Sequence, residues 1–82
     1  MDTKFSVALH ILTMISESKE TLSSQALAIS VGTNASYIRK VIALLKNADL
    51  IHSQQGKTGY QLSKSPKKMT LLEIYYATQE IN

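Results

Sequence analysis

The stretch SQALAISVGTNASYIRKVIA, Ser24–Ala43, decides the fold. Ala28 is small where two helices would cross closely, and Gly32 follows four residues later. Glycine reaches the left-handed backbone that a sharp helix exit needs. One helix is therefore expected from a cap at Ser23 or Ser24 to about Val31, with Ala26, Leu27, Ile29 and Val31 as apolar contacts. Thr33 or Asn34 caps a second helix, with apolar positions Ile38, Val41, Ile42, Leu44 and Leu45 and a frayed end near Asn47 or Ala48. Ile38 and Val41 point back at the first helix of the pair. An ordinary helix hairpin can carry any one of these signals. Together, at this spacing, they read as a helix-turn-helix.

On the N-terminal side, Phe5, Ala8, Leu9, Leu12 and Ile15 recur at helical spacing, and Val7, Ile11 and Met14 widen the stripe. This predicts a helix over about Thr3 to Ser16, buried on most sides. Thr21-Leu22 could add a very short strand. On the C-terminal side, Ile51 to Gln54 and Tyr60 to Ser63 read as two antiparallel strands, with Gly56 and Gly59 supplying positive φ between them. Ser63 to Lys68 reads as a polar linker holding the single proline, Pro66. A last helix opens at Thr70, where Thr70 and Glu73 form a capping box and Met69 and Ile74 are spaced as a hydrophobic staple. No residue signals its end before Ile81-Asn82. The order predicts a mainly α fold with a small antiparallel β wing, a winged helix-turn-helix. Residues 1–65 form that unit, and 66–82 are a linker and a C-terminal helix packed on it or on a partner.

Composition narrows the function. The chain has 82 residues, 44% of them hydrophobic, with a formal net charge of +3. It has no cysteine, so disulfides, zinc–thiolate sites and iron–sulfur ligation within it are excluded. Its apolar runs are too short to span a bilayer and its N-terminus lacks signal-peptide layout, so no membrane association and a cytoplasmic location are expected. His10 and His52 lie on different elements without an acid cluster, which offers neither a metal site nor a nucleophilic pair. GKTGY lacks the spacing of a phosphate-binding loop. No cofactor and no small-molecule effector can be read, and an enzyme is not expected.

Charge placement is more informative. Between Thr21 and Leu72 the only acid is Asp49, while Arg39, Lys40, Lys46, Lys57, Lys64, Lys67 and Lys68 fall in the same stretch. A basic middle with acidic flanks suits a polyanion, although unevenly spread solvated lysines would look similar. If the second helix of the pair enters a major groove, its N-terminal turns reach the base edges. Its exposed side then presents Asn34, Ser36, Tyr37, Arg39, Lys40 and Ala43. Arg39 can contact a guanine through two donors. Asn34 and Ser36 suit a base edge or a phosphate, and Lys40 a phosphate. Tyr37 either touches a phosphate or a thymine methyl, or is a half-buried ring propping the helix. Lys57, at the hairpin tip, would reach the adjacent minor groove or its phosphates, and Gly59 would allow close approach of the backbone. Lys46, Lys64, Lys67 and Lys68 would add phosphate attraction, the last three unless they are simply a solvated linker.

FSVALHILTMIS, LAISVGTNASYIRKVIALLKNADLI, GKTGYQLSKSP and MTLLEIYYA together resemble the Rrf-two family of bacterial winged helix regulators, from about Phe5 to Ala77. The resemblance implies a homodimeric regulator of transcription, usually a repressor, that binds double-stranded DNA. It puts Ser36, Arg39 and Lys40 on the recognition helix and Lys57 and Gly59 on the wing. Gln55 replaces the arginine common before the first wing glycine, and Thr58 replaces a second glycine. The cysteines and long dimerisation helix of other members have no counterpart in these residues, so no iron–sulfur role is carried over. The competing reading is a winged helix used for protein–protein assembly without DNA. The acid-free surface of the third helix tells against it, since an assembly module has no reason to keep acids away. Tyr75 and Tyr76 with Leu71, Leu72 and Ile81 form an apolar stripe on the last helix, read either as core packing against the first helix or as a partner surface; adjacent residues cannot both face one core, so one is expected at an interface.

Overall fold

The first helix forms where apolar residues recur at helical spacing. In the computed structural model, which describes residues 3–53, 56 and 59–79, α1 spans Thr3–Glu17. It buries Val7, Ala8, Ile11 and Leu12, with Phe5, Leu9, Met14 and Ile15 packed at the edges. α1 lies against α2 (Ser24–Val31), α3 (Ala35–Asn47), the strand β2 (Tyr60–Leu62) and α4 (Leu71–Ala77). It is the scaffold on which the helix pair and the hairpin are mounted.

Both helices of the pair begin and end for identifiable chemical reasons. Ser23 caps α2, its hydroxyl accepting from Ala26 N, and Asn34 caps α3, its side chain accepting from Tyr37 N at 2.9 Å. These bonds satisfy amides that have no intrahelical acceptor. α2 stops at Gly32, whose φ is 85°, with Gly32 N and Thr33 N both donating to Ala28 O. α3 stops in a Schellman turn: Leu50 N donates to Leu45 O and Asp49 N to Lys46 O, with Asp49 at a φ of 61°. Buried Leu50 and Leu45 seal that turn.

The helix pair closes over Leu27 and Ala28 of α2 and Ile38, Val41, Ile42 and Leu45 of α3. Leu27, Ile38, Val41 and Leu45 are fully buried. Each such side chain adds about 1.5–3 kcal/mol over its exposed state. One apolar expectation fails. Ile29 is 82% exposed, because an eight-residue helix sitting on α1 and α3 through Leu27 and Ala28 turns the next position outward.

β1 (Ile51–Ser53) pairs antiparallel with β2 in the register Ile51↔Leu62, His52↔Gln61, Ser53↔Tyr60. The expected third strand is a single bridge, Leu22↔Tyr60. The glycines have positive φ as expected, 76° at Gly56 and 111° at Gly59. The stretch read as a plain linker contains a short 3-10 helix, Pro66–Lys68, capped by Ser65, with proline supplying its first position. The capping box at Thr70 and Glu73 is present. α4 is shorter than expected. It ends at Ala77, where the Thr78 hydroxyl folds back to donate to Tyr75 O and the Thr78 N–H donates to Ile74 O. That side-chain bond offers the backbone an alternative to another helical turn. Ile74 is the anchor of α4 in the core, while Leu71, Leu72, Tyr75 and Tyr76 stay exposed. Tyr75 meets Phe5 of α1 edge-on, with ring centroids 5.8 Å apart.

Candidate nucleic-acid interface

α3 divides its residues sharply. Ile38, Val41, Ile42 and Leu45 are buried, while Ser36, Arg39, Lys40, Ala43, Lys46 and Asn47 are exposed. Ser36, Lys40, Ala43 and Asn47 line one side at helical spacing, and Arg39 and Lys46 flank it. No acid lies within α3. The outer face is therefore a strip of small, neutral and basic side chains held on a helix that cannot rotate without exposing its core.

The expected contact residues have different local settings. Asn34 commits its side-chain oxygen to the cap and keeps its amide nitrogen for another partner. Ser36 stands at the exposed first turn. Tyr37 is half-buried and packs against the core, which favours the propping role over a free ring in the groove. Arg39 reaches across to α2, where its Nη1 donates to Ser24 Oγ at 3.5 Å. Lys40 is exposed on the same face. Lys57 lies outside the described residues. Gly59 sits where a Cβ would stand 2.7 Å from Thr21 Cβ and 2.9 Å from Leu22 O. Its glycine is demanded by the chain packed beside it, independently of any approach to a ligand.

The β1–β2 hairpin is tied to α3. Lys46 Nζ donates to Ser53 Oγ at 3.0 Å and lies 6.0 Å from the Tyr60 ring centroid. This exposed lysine braces the root of the hairpin with one of its three donors. Lys64 is likewise engaged, paired with Glu73 of α4. The Lys64 ammonium, then the Thr70 N–H, hold the Glu73 carboxyl below its ordinary range. His52 Nδ1 pairs with Ser63 Oγ across the strands, and His10 Nε2 with Ser30 Oγ between α1 and α2. Neither imidazole joins a group of metal-ligating residues among those described. The pairings made by Ser24, Ser53 and Ser63 carry no sequence signal, because each meets its basic residue only after the elements pack.

Comparisons agree with this architecture. The family described as Rrf2, Iron-dependent Transcriptional regulator, matches residues 1–81. A Bacillus subtilis (strain 168) protein named as an HTH-type transcriptional regulator, YwnA, is 42% identical over 80 residues, covering 98% of this chain and 59% of the relative. A solved structure described as a DNA binding protein superimposes with a TM-score of 0.89 at 44% identity, over 95% of this chain and 66% of that one. CymR, the global cysteine regulator of B. subtilis, shares the fold with a TM-score of 0.85 at 23% identity, over 96% of this chain and 63% of that one. The chain thus spans about three fifths of the curated relative's length.

Proposed function

The chain belongs to the Rrf2 family of transcriptional regulators, and on that premise we propose that it binds double-stranded DNA and represses transcription. α3 enters the major groove, and the β1–β2 wing lies on the adjacent minor groove or its phosphates. The observation that carries this reading is the outer face of α3, which is exposed, acid-free and fixed by a fully buried opposite face. Arg39 reads a guanine, Ser36 and Asn34 contact a base edge or a phosphate, and Lys40 neutralises a phosphate. Lys57 anchors the wing. Tyr37 supports the helix from its half-buried site.

The protein acts in the cytoplasm as a homodimer, with two copies on a palindrome and half-sites about one helical turn apart. The exposed Leu71, Leu72 and Tyr76 of α4 support a protein contact there, at 66%, 60% and 66% exposure. The family description names iron. The sequence has no cysteine, and among the described residues no cluster of three metal-ligating side chains exists. That donor set does not fit an iron ion, and no step of this reading runs through one.

The test is selection of the purified protein on a random duplex pool at two salt concentrations, followed by sequencing. A palindrome should emerge, with affinity falling steeply in salt. Arg39→Ala should relax preference at one base pair per half-site, at a cost of about 1–3 kcal/mol for the preferred base. An equal loss on all sequences would remove Arg39 from base readout. No binding at either salt would overturn the reading in favour of a protein–protein assembly module.

A further inference from the structure

We propose that Ser24 is a positioning residue for Arg39 and thereby sets how strictly the recognition helix reads its base pair; this rests on the DNA-binding reading above. The two residues are 15 apart in sequence and on different helices. Their contact exists only because α2 packs against α3, Ala28 and Val41 being buried in the core that the two helices share. Neighbouring Ser23 already caps α2 through its hydroxyl to Ala26 N. The cap therefore does not need Ser24, whose hydroxyl accepts from Arg39 Nη1 at 3.5 Å on the exposed side of the helix pair.

The chemistry of that partner matters. A carboxylate would hold a guanidinium more tightly, but it would cancel the charge that a polyanion attracts. Neither α2 nor α3 contains an acid, so the arginine is oriented by a neutral acceptor and keeps its full charge. One of its five N–H donors is used. The Nε–Nη2 edge remains for a two-donor contact to guanine O6 and N7. A long side chain loses rotamer freedom when it docks on a base, and one held beforehand loses less. Ser24 thus converts a flexible cation, which any phosphate would satisfy, into an oriented fork that favours one base pair.

The experiment compares wild type, Ser24→Ala, Ser24→Thr, Arg39→Ala and the Ser24→Ala/Arg39→Ala double variant by the same selection at one salt, with melting temperature measured for each. Ser24→Ala should lower guanine preference about three- to tenfold at the pair that Arg39→Ala relaxes. Other positions and the melting temperature should stay unchanged. Ser24→Thr should restore the preference, and Ser24→Ala should add nothing in the Arg39→Ala background. The proposal is overturned if Ser24→Ala leaves that pair's preference intact, or if it weakens all sequences evenly, which would make Ser24 a backbone contact. A wild type that selects no motif defeats the DNA-binding reading itself. A wild type with a motif, an Arg39→Ala variant relaxed at one pair and an unaffected Ser24→Ala variant defeat only the positioning role.

Discussion

Gly59 carries a meaning that its place on a hairpin hides. A wing glycine invites the idea that the backbone must approach a ligand. Here the neighbour is the chain itself: with φ at 111°, an added Cβ would meet Thr21 Cβ at 2.7 Å and Leu22 backbone at 2.9 Å. Gly56 also has positive φ, 76°, but nothing lies within 4 Å of its missing Cβ. Gly59→Ala should therefore cost about 2–4 kcal/mol, from backbone strain plus overlap, against about 1 kcal/mol for Gly56→Ala. Urea denaturation of both variants checks the difference. Equal losses would mean that the φ angle matters and the packing against Thr21 does not. The positive φ of both glycines was legible in the sequence. The reason one is irreplaceable was not, because it lies in a segment 38 residues earlier that only the fold brings alongside.

Among the elements, α4 shows how a short helix is held. It has seven residues, too few to persist on intrinsic propensity. Three things fix it: Ile74 in the core, the Thr70–Glu73 capping box, and the pairing of Glu73 with Lys64. The capping box could be read directly from the sequence, since its spacing is local. The pairing could not, because Lys64 lies nine residues before Glu73 and meets it only once the chain between them has folded. The Glu73 carboxyl is held below its ordinary range by Lys64 and then by the Thr70 N–H, so the folded state takes up its proton less readily than the unfolded state does. Its stabilising contribution is complete above the unfolded carboxylate range and is lost as pH falls through the depressed folded value. Glu73→Gln should be less stable than wild type at neutral pH, and the gap in urea midpoint should narrow as the pH falls below the ordinary carboxylate range. A gap independent of pH would mean that the carboxylate's charge contributes nothing. α2 teaches the converse lesson. Ile29 suited a helical apolar pattern, yet one position past the contact it faces solvent. In eight residues, a rotation of one position changes which side chains meet the core.

For the molecule as a whole, the electrostatic layout should appear in salt dependence. Each phosphate neutralised adds about 0.9 to the slope of log affinity against log salt. Lys57→Ala should lower that slope by about one while weakening binding evenly across sequences. An unchanged slope would take the wing lysine out of the interface. Lys46 and Lys64, which counted equally as basic residues in the sequence, are engaged by Ser53 and Glu73. The sequence by itself determined the fold class, the helix-turn-helix with each cap placed to within one residue, the positive-φ glycines of the wing and, Tyr37 apart, the outward set on α3. All of these follow from residues a few positions apart, where periodicity and capping chemistry act locally. Only the tertiary structure decided that Arg39 leans on Ser24, that Lys46 braces the wing, that Gly59 is locked against Thr21, and that Leu71, Leu72 and Tyr76 remain uncovered. Those outcomes depend on how helices cross and which loops meet, and hydrogen bonding and burial between distant residues have no period in the chain for a sequence to display.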